Sequence, residues 1–165
     1  VFALANATAI IIGKTLGAGE RDQAYLYGKR LLAGAVCTGI LLGVLVIFIR
    51  KPLVGVFGGL SDQVRLQAQT ILMIGGATIW FRAFNTINIV GILRSGGDTL
   101  FSMVLDVGTL WLVGVPLTGL AALVFHWPLN YVYLCTFVEE AIKVAIGIPH
   151  FQSRKWMNVL TEEQS

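Results

Sequence analysis

Residues 31–49, LLAGAVCTGILLGVLVIFI, hold no charged residue. A helix needs about 20 consecutive apolar residues to cross the hydrocarbon of a bilayer, and this run supplies them. Arg50, Lys51 and Pro52 close it on one side. On the other side a rising helical pattern ends in Lys29 and Arg30, preceded by the polar stretch Gly17-Ala18-Gly19-Glu20-Arg21-Asp22. A membrane-spanning helix over about 22–49 is therefore expected.

Three more segments read the same way. Gly58-Gly59 makes a loop, Ser61 is placed to cap a helix N-terminus, and a span follows over about 66–93. The tight loop Arg94-Ser95-Gly96-Gly97-Asp98 leads to a span over about 100–124, and His126-Trp127-Pro128 to a last one over about 131–150. Val1 lies inside an apolar run with no initiator Met and no signal-peptide pattern. Residues 1–12 rise only about 18 Å as a helix, against roughly 30 Å of hydrocarbon, so 1–16 read as the end of a truncated spanning helix. The expectation is an all-α transmembrane bundle: four spans within 17–150, part of a fifth, and a polar cytoplasmic tail over 151–165. The segments are too long and uniformly apolar for barrel strands, which alternate in runs of about ten.

Composition agrees. Of the residues 56% are hydrophobic and 13% charged, where a soluble domain carries about 25% charged residues to face water. The basic residues sit at the ends of apolar segments rather than in a patch, which argues against nucleic acid. Arg21, Lys29, Arg30, Arg94, Arg154 and Lys155 fall on one side of the membrane, and Arg50, Lys51 and Arg65 on the other. The positive-inside bias puts the first group and the C-terminus in the cytoplasm. Cys37 and Cys135 lie in apolar segments and read as buried free thiols; neither has a second metal ligand at zinc spacing. His126 and His150 stand alone near segment ends.

Ionisable groups at membrane depth are costly and normally face a bundle interior or a water-filled cavity. Arg82, Asp106, Glu139, Glu140 and Lys143 are such groups. Counted from the cytoplasmic ends at about 1.5 Å per residue, Arg82, Glu139 and Glu140 lie roughly 16 Å deep, and Asp106 and Lys143 roughly 10 Å. Depth matching pairs Arg82 with Glu139 or Glu140, and Asp106 with Lys143. Glu139 and Lys143 also share a helix face, which leaves Glu140 the freer partner for Arg82. These charges either hold helices in register or let Glu140 or Glu139 exchange a proton or sodium ion. A low-dielectric cavity favours the neutral carboxyl, as a proton carrier requires.

Thr78, Arg82, Asn85 and Asn88 form a polar stripe, suited to interhelical hydrogen bonds or to a substrate cavity. Gly39 and Gly43 permit close helix packing. Pro116 frees the carbonyl near Leu112 and is the hinge candidate. Neither glycine-rich loop has phosphate-loop spacing, and no histidine at depth can serve a hydrolytic serine, so an enzyme is not expected.

Several stretches together resemble the C-terminal half of the multidrug and toxic compound extrusion (MATE) family. They are GKTLGAGE at 13–20 with Ala24, GILRSGGDT at 91–99, Trp111 with Gly114-Val115-Pro116, Glu139-Glu140 with Lys143, and Lys155-Trp156 after the last span. The resemblance implies a twelve-helix transporter of two six-helix lobes, of which this chain supplies the end of helix 8 and helices 9–12. It implies alternating access in the plasma (inner) membrane, with efflux of organic cations against protons or sodium ions and no other cofactor. Its partners would be the N-terminal lobe and membrane lipid, and Trp111 joins the substrate-cavity candidates. One family subgroup places a cation-site carboxylate on helix 10, where this chain has Arg82. Two competing readings are a lipid-linked sugar flippase of the same superfold, which would want an arginine-rich cavity, and a non-transporting scaffold subunit.

Overall fold

The computed structural model describes residues 2–158. They form five helices: α1 (Phe2–Gly17), α2 (Arg21–Gly55), α3 (α-helical over Asp62–Asn85, then wider π-type turns over Thr86–Leu93), α4 (Thr99–Val124) and α5 (Leu129–Gln152). No strand occurs among the described residues. Two helices, α2 and α4, are long and apolar enough to cross a membrane.

Local chemistry sets the helix ends. Gly19 adopts φ +80°, and Gly19 and Glu20 donate their N–H groups back to the carbonyls of Leu16 and Thr15. That is a left-handed glycine stop, which satisfies carbonyls the helix end would orphan. Gly97, at φ +92°, repeats the device after α3, with Gly97 and Asp98 bonding back to Arg94 and Leu93. Ser61 caps α3: its hydroxyl accepts from the Val64 N–H at 3.4 Å.

α2 does not stop at Arg50-Lys51-Pro52, as the charges suggest; it continues for 35 residues to Gly55. Pro52 removes the backbone donor that would reach the Phe48 carbonyl, and Arg50 Nη1 donates to the neighbouring Ile47 carbonyl at 3.0 Å; the last turn is helical nonetheless. At about 1.5 Å per residue the helix is about 52 Å long, well beyond roughly 30 Å of hydrocarbon, so its ends project from the apolar layer.

Glycines bring α2 and α3 together. Gly39 faces the Trp80 backbone, and Gly43 lies against the carbonyl of Gly76. A Cβ on Gly39 would stand 2.6 Å from Trp80 Cα, so only glycine allows this approach. Elsewhere the buried apolar residues gather at one end of the bundle. Ile12, Ile92, Leu93, Phe151 and Trp156 pack there with Ala24 and Leu32 of α2.

The segment after α5 belongs to this core, which corrects the expectation of a polar tail from Gln152 onward. Trp156 is fully buried, donates Nε1–H to the Phe151 carbonyl at 2.9 Å and lies against Gly96. Asn158 donates its N–H to the Gly96 carbonyl at 2.8 Å. The strap thus clamps the 94–98 loop, because glycine at 96 leaves space for an indole. Residues 159–165 of the expected tail lie outside the described residues.

Cys135 is buried but Cys37 is exposed, contrary to the reading of both thiols as buried. It lies on the outward side of α2, where Ile40, Leu41 and Phe48 are exposed too. Apolar composition around a residue does not say which way it points.

Candidate functional site

Three helices carry the ionisable groups into the bundle. Lys143 Nζ stands 2.6 Å from Glu139 Oε1 on its own helix and 2.9 Å from Asp106 Oδ1 of α4. Arg94 Nη2 completes the group at 3.6 Å from Asp106 Oδ2. Deeper along α3, Arg82 Nε lies 3.5 Å from Glu140 Oε1. Asn85 Nδ2 donates to Glu140 Oε2 at 2.7 Å and to the Glu140 carbonyl at 2.9 Å. Depth counting proposes these same partners, and the geometry divides the adjacent acids between them: Glu139 to Lys143, Glu140 to Arg82.

The cluster holds three cations (Arg82, Arg94, Lys143) and three carboxylates (Asp106, Glu139, Glu140), so it is neutral as paired. Burial is uneven. The Lys143, Glu139 and Glu140 side chains are 8%, 10% and 15% exposed, whereas Arg82 is 56% exposed. Desolvation makes the Lys143–Glu139 pair the part whose disruption costs most, since an orphaned buried charge costs about 3–5 kcal/mol.

Gly114 makes room for that pair. It lies directly against the Glu139 carboxylate, and any side chain at 114 would collide with it. The backbone there has wider π-type turns over Leu110–Gly114, just before Pro116, and the Thr118 hydroxyl donates to the Gly114 carbonyl. Pro116 has no N–H to donate, so the irregular turns around it have a direct cause.

Two cavities flank the Arg82–Glu140 pair. One of ≈ 210 Å³ contains Arg82, Thr78 and Tyr133 among apolar walls. The other, ≈ 150 Å³, contains Glu140, Asn85, Asp106 and Lys143. Arg82 faces the first and Glu140 the second, so the pair is the partition between them.

The polar stripe of α3 does not share one cavity. Thr78 lies in the first and Asn85 in the second, while Asn88 is fully buried against Gly147 and Leu105. Trp111 is 64% exposed and lines neither space.

One pair escapes a reading that leaves the histidines alone. His150 Nε2 lies 2.6 Å from Asp98 Oδ2, and its ring stacks on Phe101 at 3.6 Å between centroids. The depth argument applied to the span ends would have matched them, because both stand at the same end of their helices.

The MatE family model matches residues 1–120, which include Arg82, Asn85 and Asp106 and leave out Glu139, Glu140 and Lys143. The protein described as "Uncharacterized transporter YisQ" from Bacillus subtilis (strain 168) is 27% identical over 159 residues, covering 94% of this chain and 34% of that protein. The chain thus spans about a third of the length of this curated relative. No solved structure matches.

Proposed function

This chain belongs to the MatE family of membrane transporters, and from that premise we propose that it forms the ion-coupling part of a secondary active efflux transporter. In this reading organic cations leave the cell against protons or sodium ions by alternating access. Glu140 is the exchanging carboxylate: paired with Arg82 when unloaded, and carrying either the coupling ion or the organic cation when loaded. Asp106, Glu139 and Lys143 hold α4 and α5 in register around it, and Pro116 is the hinge.

One observation carries the reading. Glu140 lines one cavity and is held by Arg82, 3.5 Å away, which lines a second cavity and is itself half exposed. A carboxylate so placed can change partners without leaving a buried charge unpaired, which the tightly held Glu139 cannot do. The arginine-rich cavity a sugar flippase would want has no counterpart in these spaces, where Arg82 is the arginine present. A mere scaffold gives no reason for a carboxylate so placed.

The wider layout belongs to the same proposal: α2 to α5 as spans, α1 as the end of another, two six-helix lobes, the plasma (inner) membrane and a cytoplasmic C-terminus. The test uses the full-length protein in cells deprived of their own efflux pumps. Loss of a fluorescent organic cation is followed with and without a proton or sodium ionophore. Ionophore-sensitive efflux that Glu140→Gln abolishes is the expected result. Efflux unchanged by the substitution overturns the role of Glu140, and no efflux in the wild type overturns the substrate class.

A further inference from the structure

The cavity on the Arg82 side has a chemistry that efflux of cations does not use. Its polar groups are the Arg82 guanidinium, the Tyr133 hydroxyl and Thr78. The Thr78 hydroxyl already donates to the Ile74 carbonyl at 2.7 Å, so the donors left for a ligand are those of Arg82 and Tyr133. Arg82 meets Glu140 only through Nε, at 3.5 Å, which is longer than the roughly 2.7–3.2 Å of a formed hydrogen bond. Glu140 Oε2 is held by Asn85. Among the described residues neither Arg82 Nη atom has a hydrogen-bond partner, so the two-pronged face of the guanidinium is unspent.

A guanidinium fork matches a carboxylate or phosphate through two parallel bonds. The surrounding walls are apolar, with Val46, Ile71 and Phe137 among them. The volume of ≈ 210 Å³ equals that of about seven liquid waters, enough for a small arene carboxylate. A site that is cationic at one point and apolar elsewhere does not suit an organic cation.

We propose that the Arg82 cavity is a subsite for an anionic group, and that the transporter takes up amphipathic carboxylates there. The inference deepens the transport reading and rests on it. The source of the anionic group is a solute carboxylate, although a lipid headgroup phosphate offers the same chemistry.

Electroneutrality fixes the coupling. The six-charge cluster is balanced, so an anion at Arg82 leaves one negative charge in excess. An uncompensated charge beside the largely buried Glu140 carboxylate is disfavoured. Glu140, which then shares Arg82 with the anion, is the nearest carboxylate and the group placed to accept a proton. An anion therefore binds the unloaded site together with a proton, whereas an organic cation displaces the coupling ion from the loaded one.

The experiment uses purified full-length protein in phosphatidylcholine nanodiscs, with 2-naphthoate and its neutral amide as probes and a pH indicator in weak buffer. The wild type is expected to bind the carboxylate about tenfold more tightly than the amide and to take up a proton with it. Glu140→Gln keeps the preference and loses the proton uptake. Arg82→Lys narrows the preference, since an ammonium lacks the fork. The double variant Arg82→Gln/Glu140→Gln keeps the charge balance, so it remains folded, and loses the preference. Equal binding of the two probes by the wild type overturns the proposal, as does a preference that survives in the double variant. Phosphatidylglycerol nanodiscs that abolish naphthoate binding overturn the solute assignment in favour of a lipid headgroup. Cation-driven proton release is read separately in the same sample, so failure of the antiport reading and failure of this one are distinguishable.

Discussion

The two ends of this helix bundle are built on opposite principles. At one end α1, α3, α5 and the strap around Trp156 enclose an apolar core, reinforced by His150–Asp98 and by two left-handed glycine stops. At the other end Val56, Phe57, Phe125 and Trp127 stand exposed on the 56–61 and 125–128 connections. The ionisable cluster lies between them. The charge layer therefore lies between a packed end and an end whose large apolar side chains are exposed.

Breaking the charge layer should have the largest effect. Lys143→Met strands Glu139, leaves Asp106 with Arg94 alone, and is expected to destabilise the full-length protein by about 3–5 kcal/mol, measured as the thermal midpoint in detergent. Adding Glu139→Gln should recover most of that loss, because the buried charge goes with it. Next comes the clamp. Trp156→Ala empties a fully enclosed site and should cost about 3 kcal/mol, with faster hydrogen exchange in the 94–98 loop. Weakening one polar contact of the same end is a smaller step: His150→Gln should cost about 1 kcal/mol, the usual net worth of a hydrogen bond. Phe57→Ala, at the open end, should stay within about 0.5 kcal/mol. A cost at Phe57 as large as that at Trp156 would erase the contrast between the ends.

The layer of charge was legible from sequence because two constraints act together. An ionisable side chain in hydrocarbon must find a partner, and helical rise converts residue number into depth. Those rules suffice to match Asp106 with Lys143 and to leave Glu140 for Arg82. They fail where the determining contact is neither charged nor periodic. Residues 152–158 read locally as a polar tail; Trp156 is buried because Gly96, sixty positions earlier, lacks a side chain. Gly114 enters the sequence reading only as part of the family-like stretch Gly114-Val115-Pro116, and its contact with the Glu139 carboxylate appears only once α4 packs on α5. Cys37 shows the same limit, since a wholly apolar helix carries no signal of which face looks outward. Continuation of α2 through Arg50-Lys51-Pro52 to Gly55 is likewise not recorded in the hydropathy pattern, which marks only where the apolar run ends.

The measurement closest to the central claim is ion displacement by a bound cation. Tetraphenylphosphonium is added to purified full-length protein first loaded with the coupling ion, by low pH or by sodium, in weak buffer, and released protons or sodium ions are counted for the wild type and for Glu140→Gln. The account predicts about one ion released per cation in the wild type, since the two compete for a single carboxylate, and none in the variant. Equal release from both proteins would contradict it and place the exchanging group elsewhere.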